Sequence, residues 1–480
     1  MKEIEEVRIA YSFTPGQIPD LDPAEISMID QALLIDNLYS HLIEYDENGK
    51  LQPGIADYFE IKDDTIIFHF SKKVKTRSGH FIDADDAAAS IRRLIKLDSA
   101  THAELTNILC SKDEITDVFK DCPAIKSQNN QLILSVRDIR YRSYLLEALA
   151  ADDMVIVPIS AINPQSLKIQ NYSETSGPYS IDYVKDERLV FIQNPVHYNL
   201  RGNSPRAVTL ISTDKTSIDD LFLSNKVDIL STLNNPSSEM VQRFKEQVPS
   251  TNINKTLSIK LYYIQFSPSA QKKFSRAQRS RIANQFKKVM PAAYPLPLFA
   301  EPTSTFFLDN SIGMLSQEQM REVERLNSIE EDVLYEKPTF YLYKSRAKIF
   351  NVFKQIKEIN PIETDDVPFF TAPEKRLDIF LATTDTSYEE SYALLGYNFT
   401  MGTFGVNKQE SIPWMAEYLK TENSVDRVKL INTLHFNALK SGVLFPLYKA
   451  PYTSVGRNGF ELPLNPMFAS SHFWKIRKHE

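Results

Sequence analysis

Residues able to do covalent chemistry are present in this chain, but not at spacings that chemistry requires. Its 8 histidines form no HExxH pair. Its two cysteines, Cys110 and Cys122, form neither CxxC nor a Cys/His zinc pattern. No GxSxG elbow occurs, and neither GxGxxG nor a Walker-type loop is present. The nearest approach to a catalytic carboxylate couple is Glu389-Glu390 with Asp365-Asp366. Adjacent acids usually point apart, and nothing in the sequence sets the separation that glycoside hydrolysis needs. The motif inventory therefore argues against an enzyme, and no cofactor or metal is expected. The close, even pair of cysteines leaves two readings open: one disulfide in an oxidising compartment, or two unrelated buried thiols.

The bulk properties narrow the class further. A chain of 480 residues is too long for one core, so two or three lobes are expected. With 55 basic and 62 acidic residues the formal charge is −7, which argues against a nucleic-acid partner or an anionic membrane surface. No run of about 18 apolar residues is present, so no membrane-spanning helix is expected. The 28 Phe and 22 Tyr supply core and leave material for an apolar ligand cavity. Met1 leads straight into Lys-Glu-Ile-Glu-Glu and a strand, Val7 to Phe13, with no signal segment in front. The chain is then either not exported or a mature form carrying an added start Met.

Local patterns position the elements. Asn48-Gly49 predicts a tight turn between His41–Tyr45 and Leu51. Thr65 to Phe70 is a β-branched and aromatic strand following the polar turn Lys62-Asp63-Asp64. Asp83 caps a helix with Asp86 in its first turn and Ala87, Ile91, Leu94 and Ile95 on one face. A hairpin is expected from Tyr179 to Gln193 about Lys185-Asp186-Glu187. Asn225 suits a left-handed helix end. Leu261 to Phe266 reads as a strand. Arg276 to Met290 reads as a helix whose basic face is a solvated surface. From Ala292 to Ser304 a proline-rich run excludes helix or central strand. Thr339 to Tyr343, a helix from Arg346 to Ile359 and a strand near Ile362 form a β-α-β unit. Leu377 to Ala382 is a strand, Val425 to Lys440 an amphipathic helix, and Val443 to Tyr448 a strand.

The order of these pieces resembles the extracytoplasmic solute-binding proteins of the peptide/nickel class (family 5), the binding components of ABC importers. Asn37-Leu38-Tyr39, Asp46 to Lys50, Pro53 to Ala56, Lys73 to Gly79 and Ala84-Asp85-Asp86 follow one another as in that family. Leu21-Asp22-Pro23, Thr175-Ser176-Gly177-Pro178-Tyr179 and Asn194-Pro195-Val196-His197-Tyr198 are similar to its LDP, GTGPY and NPxYW segments. The resemblance implies a two-lobe α/β periplasmic binding protein fold, class II, cluster C. Residues 1–36, 172–260 and 452–480 would form the first lobe, 37–171 an inserted subdomain, and 261–451 the second lobe. It favours the mature-form reading of the terminus and an extracytoplasmic location.

The function so implied is capture of an oligopeptide or peptide-like solute in the inter-lobe cleft by a monomer that serves a membrane ABC permease. The alternative is the ligand-sensing domain of a receptor or regulator on the same fold. Asp385 matches the family's ammonium-binding Asp, although the Trp and Asp-Pro that flank it there are missing; otherwise it is a turn-capping Asp. Phe13 and Thr14, at the end of the first strand, and Thr403 and Phe404, between Gly402 and Gly405, are the further cleft candidates. Arg346 opens the second-lobe helix, where it either meets a ligand carboxylate or is a surface arginine.

Overall fold

The computed structural model describes the chain outside residues 1–2, 27–28, 47–49, 72–73, 98–103, 152, 232–233, 235, 294–295, 308–312, 334–335, 344–350, 365–377, 386–394, 396–397, 400–401, 407, 465–470 and 480. The Asn48-Gly49 turn, Arg346 and both acidic pairs, Asp365-Asp366 and Glu389-Glu390, thus lie outside the described residues. The chain divides into two compact units. One holds residues 1–256 and 452–480, the other the described residues of 257–451. Connectivity passes between them after Thr256 and again after Pro451.

In the first unit the described residues build a seven-stranded mixed sheet. Its order is Tyr179–Lys185, Arg188–Gln193, Ala207–Ser212, Glu6–Tyr11, Ile229–Leu230, Thr453–Gly456 and Asn252–Lys255. Glu6–Tyr11 runs parallel to both of its neighbours. Val7 and Ile9 are fully buried on the core side, with Tyr179, Phe191, Val208 and Leu210. Asp186 (φ 52°) turns the 179–193 hairpin, and Asn225 (φ 61°) ends a helix in the left-handed region, as its side chain permits.

Residues 58–135 of this unit carry a separate four-stranded antiparallel sheet, ordered Tyr58–Lys62, Thr65–His69, Gln131–Ser135 and Ile125–Gln128. The Ala84–Lys96 helix packs on it and starts with a full capping box. The Asp83 side chain accepts from the first turn while Asp86 accepts the Asp83 N–H. Nearby, Cys110 and Cys122 are joined by a disulfide.

The second unit is built on a six-stranded sheet. Its order is Glu301–Pro302, Leu444–Ala450, Lys260–Phe266, Ile379–Asp385, Thr339–Tyr343 and Asn360–Thr364. Tyr262, Ile264 and Phe266 point to one face, where they pack with Ile282, Ala283 and Phe286 of the Arg276–Ala293 helix.

Three expectations are corrected here. The helix runs through Pro291 to Ala293 and so enters the proline-rich run. Pro291 lacks the N–H that would bond the Lys287 carbonyl, and the Tyr448 hydroxyl supplies that donor at 2.9 Å. The basic face of the helix is not a solvated surface throughout. Arg279 is 6% exposed and donates to the carbonyls of Ser441 and Gly442, and Arg276 donates to those of Leu439 and Lys440. The two guanidiniums close the C-terminal end of the Ser424–Ser441 helix, which otherwise leaves carbonyls unpaired. The Arg346–Ile359 helix is observed, among the described residues, as a 3-10 turn over Asn351–Gln355.

Candidate functional site

Asp385 is the last residue of Ile379–Asp385 and stands in register with Lys260, the first residue of the central strand. Lys260 faces Ala450, the last residue of Leu444–Ala450, on its other side. This is the end of the sheet at which the chain enters the unit at Leu257 and leaves it at Pro451. Two residues further in, Tyr262 is flanked by Thr383 and Tyr448. Tyr262 is buried and Thr383 exposed, so this row is covered on one side and open on the other. The Lys260 ammonium lies 5.8 Å from the Tyr262 ring centroid.

Thr403 and Phe404 are placed differently from Asp385. Thr403 is fully buried, its N–H donates to the Asn398 carbonyl, and its hydroxyl is 3.5 Å from that of Tyr263. Phe404 packs edge-on against Phe306 (5.3 Å) and Phe399 (6.0 Å). Gly402 (φ +65°) and Gly405 (φ +75°) supply the left-handed backbone that folds this turn inward. His435 completes the cluster. Its Nδ1–H donates to the Gly313 carbonyl and its Nε2 accepts the Phe306 N–H, both at 2.9 Å. Burial pushes its pKa down to about 4, so the ring is neutral.

In the first unit Phe13 belongs to the core cluster, and its carbonyl accepts from the Ser212 hydroxyl. Thr14 is exposed, on a loop tied to the 179–193 hairpin by the Gly16 N–H to the Asp186 carbonyl. Asp22 of the LDP segment is an internal partner. Its carboxylate caps a short turn and pairs with buried Arg93.

The sequence segments quoted above are bonded to one another. Gly177 donates to the Leu38 carbonyl, and a Cβ there would lie 2.5 Å from the Leu38 carbonyl carbon. Ser40 accepts at its oxygen from His197 Nε2–H and donates to the Ser176 carbonyl. His197 Nδ1 accepts the Asn199 N–H, which fixes that tautomer. Burial lowers the His197 pKa to about 3. The Asn37 amide donates to the Ser471 carbonyl and its oxygen accepts the Phe473 N–H, drawing in the chain's tail. These residues are structural, and no single one announces its partner in the sequence.

Among the described residues no group of three or more His, Cys, Asp or Glu side chains is disposed to hold a metal ion. Among the same residues no helix is long and apolar enough to cross a membrane.

No protein-family model matches the chain. The periplasmic oligopeptide-binding protein OppA of Salmonella typhimurium is 25% identical over 251 residues, 49% of this chain and 45% of that protein. Its Escherichia coli counterpart is 25% identical over 250 residues, 49% of this chain and 44% of its own. The matched stretch thus spans less than half the length of these relatives. The fold extends the likeness to the whole chain. NikA from Brucella suis, in complex with Fe(III)-EDTA, superposes with a TM-score of 0.77 at 16% identity, covering 99% of this chain and 100% of that one. The dipeptide-binding protein of Pseudoalteromonas sp. SM9913, in complex with Met-Leu, gives 0.72 at 14% identity with the same coverage.

By sequence over about half its length, and by fold over nearly all of it, the chain is similar to periplasmic peptide- and nickel-binding proteins.

It shares the α/β periplasmic binding protein fold of those structures. Its LDP, TSGPY and NPVHY segments are internal joints of that fold, whereas Asp385 stands at the sheet end where the two connections meet. The backbone register, not any local motif, brings Lys260 beside it.

Proposed function

We propose that this chain is a family 5 solute-binding component of an ABC importer, capturing an oligopeptide or peptide-like solute and presenting it to a membrane permease. The observation that carries this reading is the sequence match to two periplasmic oligopeptide-binding proteins. Capture without catalysis is consistent with a chain in which no catalytic spacing was found. The Cys110–Cys122 disulfide supports an extracytoplasmic setting, since such bonds persist where the environment oxidises thiols. Asp385 is the polar anchor for the ligand, from its place at the end of Ile379–Asp385. A carboxylate orients a donor group by a charge-assisted hydrogen bond. The protein acts as a monomer and needs no cofactor.

Native mass spectrometry of the purified protein tests this directly. A co-purified small peptide or peptide-like molecule, one per chain and released intact on denaturation, is the expected result. Copies that emerge empty and stay empty when offered mixed peptides would overturn the reading.

A further inference from the structure

Arg92 carries a charge into the interior of the first unit. It lies on the Ala84–Lys96 helix and is 2% exposed. Its neighbour Arg93 is buried too, but pairs with Asp22 of the LDP segment. Arg92 has a different set of partners. Its Nε donates to the Val118 carbonyl at 2.8 Å, and its Nη1 donates to the Ile125 carbonyl and the Asp121 carboxylate, each at 3.1 Å. Val118 and Asp121 belong to the loop that the Cys110–Cys122 disulfide closes. Ile125 is tied to Cys122 itself, N–H to carbonyl in both directions at 3.2 Å. Among the described residues no helix or strand lies between Ile108 and Ile125. Ile115 and Val118 of this loop are nevertheless buried, and Phe119 packs against the core of the seven-stranded sheet. A loop without regular structure keeps its shape more firmly when its ends are joined, and here the disulfide joins them. A buried charge is tolerated only while its partners stay in place; left unpaired, it is strongly destabilising.

We propose that the Cys110–Cys122 bond is a redox latch on the subdomain that carries the four-stranded sheet, acting through Arg92. Oxidised, the bond fixes the 110–122 loop as the socket of the Arg92 charge. Reduction by a dithiol passes two electrons and two protons to the bond, leaving two thiols on the chain and the reductant as its own disulfide. The freed loop then withdraws the partners of Arg92, and the subdomain opens around an unpaired guanidinium. Cys110 and Cys122 are 1% and 4% exposed, so a dithiol reaches the bond only after the loop has opened. The latch is therefore set when the chain meets an oxidant, and it stays set. Completion of this part of the fold is tied to an oxidising compartment.

Hydrogen exchange of the full chain, read by mass spectrometry, tests this. The wild type is refolded from denaturant with and without excess dithiothreitol, and Arg92→Met is prepared in the same two states. In the oxidised wild type the strands Thr65–His69 and Gln131–Ser135 should be protected. In the reduced wild type they should exchange about tenfold faster or more, while the Lys260–Phe266 strand of the second unit is unchanged. Arg92→Met separates a charge socket from a plain cross-link. It should speed exchange of the first-unit strands in the oxidised protein, where it removes a partnered charge. It should slow their exchange in the reduced protein, where it removes an unpartnered one. Arg92→Gln, also uncharged, is read by the same criterion and replaces Arg92→Met if that variant does not fold. Reduced strands as protected as oxidised ones, or protection lost equally in both units, overturns the latch. A substitution effect of the same sign in both redox states, or none in the reduced state, overturns the role of Arg92 and the latch with it.

Discussion

Replacing His435 with leucine should weaken the second unit in two separable ways. The imidazole is fully buried, and its two nitrogens satisfy the Gly313 carbonyl and the Phe306 N–H. Leucine fills most of the volume but leaves both backbone groups without a partner. Each buried orphan costs about 1–3 kcal/mol, so the loss should be about 2–6 kcal/mol. The second effect is on pH dependence. The folded ring has its pKa lowered to about 4 by burial, against about 6.5 when unfolded. Below 6.5 the unfolded state takes up a proton that the folded state refuses. Stability is therefore complete above 6.5 and falls as the pH drops, by up to about 1.4 kcal/mol per unit, levelling near pH 4 after about 3 kcal/mol. His435→Leu should remove that slope. The sequence holds two tryptophans, Trp414 in the second unit and Trp474 in the first. In a Trp474→Phe background, urea unfolding followed by Trp414 fluorescence at pH 7.5 and 5.5 reads the second unit. A stability change under about 1 kcal/mol, or a pH slope equal to that of the parent, would refute the reasoning.

Further outcomes follow from other sites. Replacing both Cys110 and Cys122 with serine removes a cross-link with a sequence separation of 12 and should cost about 3 kcal/mol by urea unfolding. Gly177→Ala drives a methyl group into the Leu38 backbone and should destabilise the first unit by about 1–3 kcal/mol, with Gly202→Ala, which meets nothing within 4 Å, as the near-neutral control. Asp385→Asn should weaken ligand binding in calorimetry by about 2–5 kcal/mol, through loss of a charged partner, while the unliganded thermal transition stays within about 1 kcal/mol of the parent.

What could be read from the sequence was local. Asp83 and Asp86 sit three residues apart, so their capping box is visible in one line of sequence. The same holds for the turn at Asp186 and the left-handed Asn225. Features whose partners lie far along the chain were read less well. Arg279 looks like a surface residue until the carbonyls of Ser441 and Gly442, more than a hundred residues on, are folded against it. Pro291 looks like a helix breaker until Tyr448 supplies the missing donor. Phe13 is a candidate from its place at the end of the first strand, and Phe404 from its place between Gly402 and Gly405. That choice could not distinguish a ligand-facing ring from a core ring, and the structure packs both within their own units. Asp385 was found through family resemblance, whereas Lys260 required the register of two strands far apart in sequence.

Titration calorimetry on protein freed of its endogenous solute by unfolding and refolding tests the central claim most directly. The solute recovered from the native protein is titrated back and then analysed after the run. The account predicts saturable binding at one site per chain, with the solute recovered chemically intact. Absence of binding heat across temperatures, or a solute cleaved or otherwise converted, would contradict it.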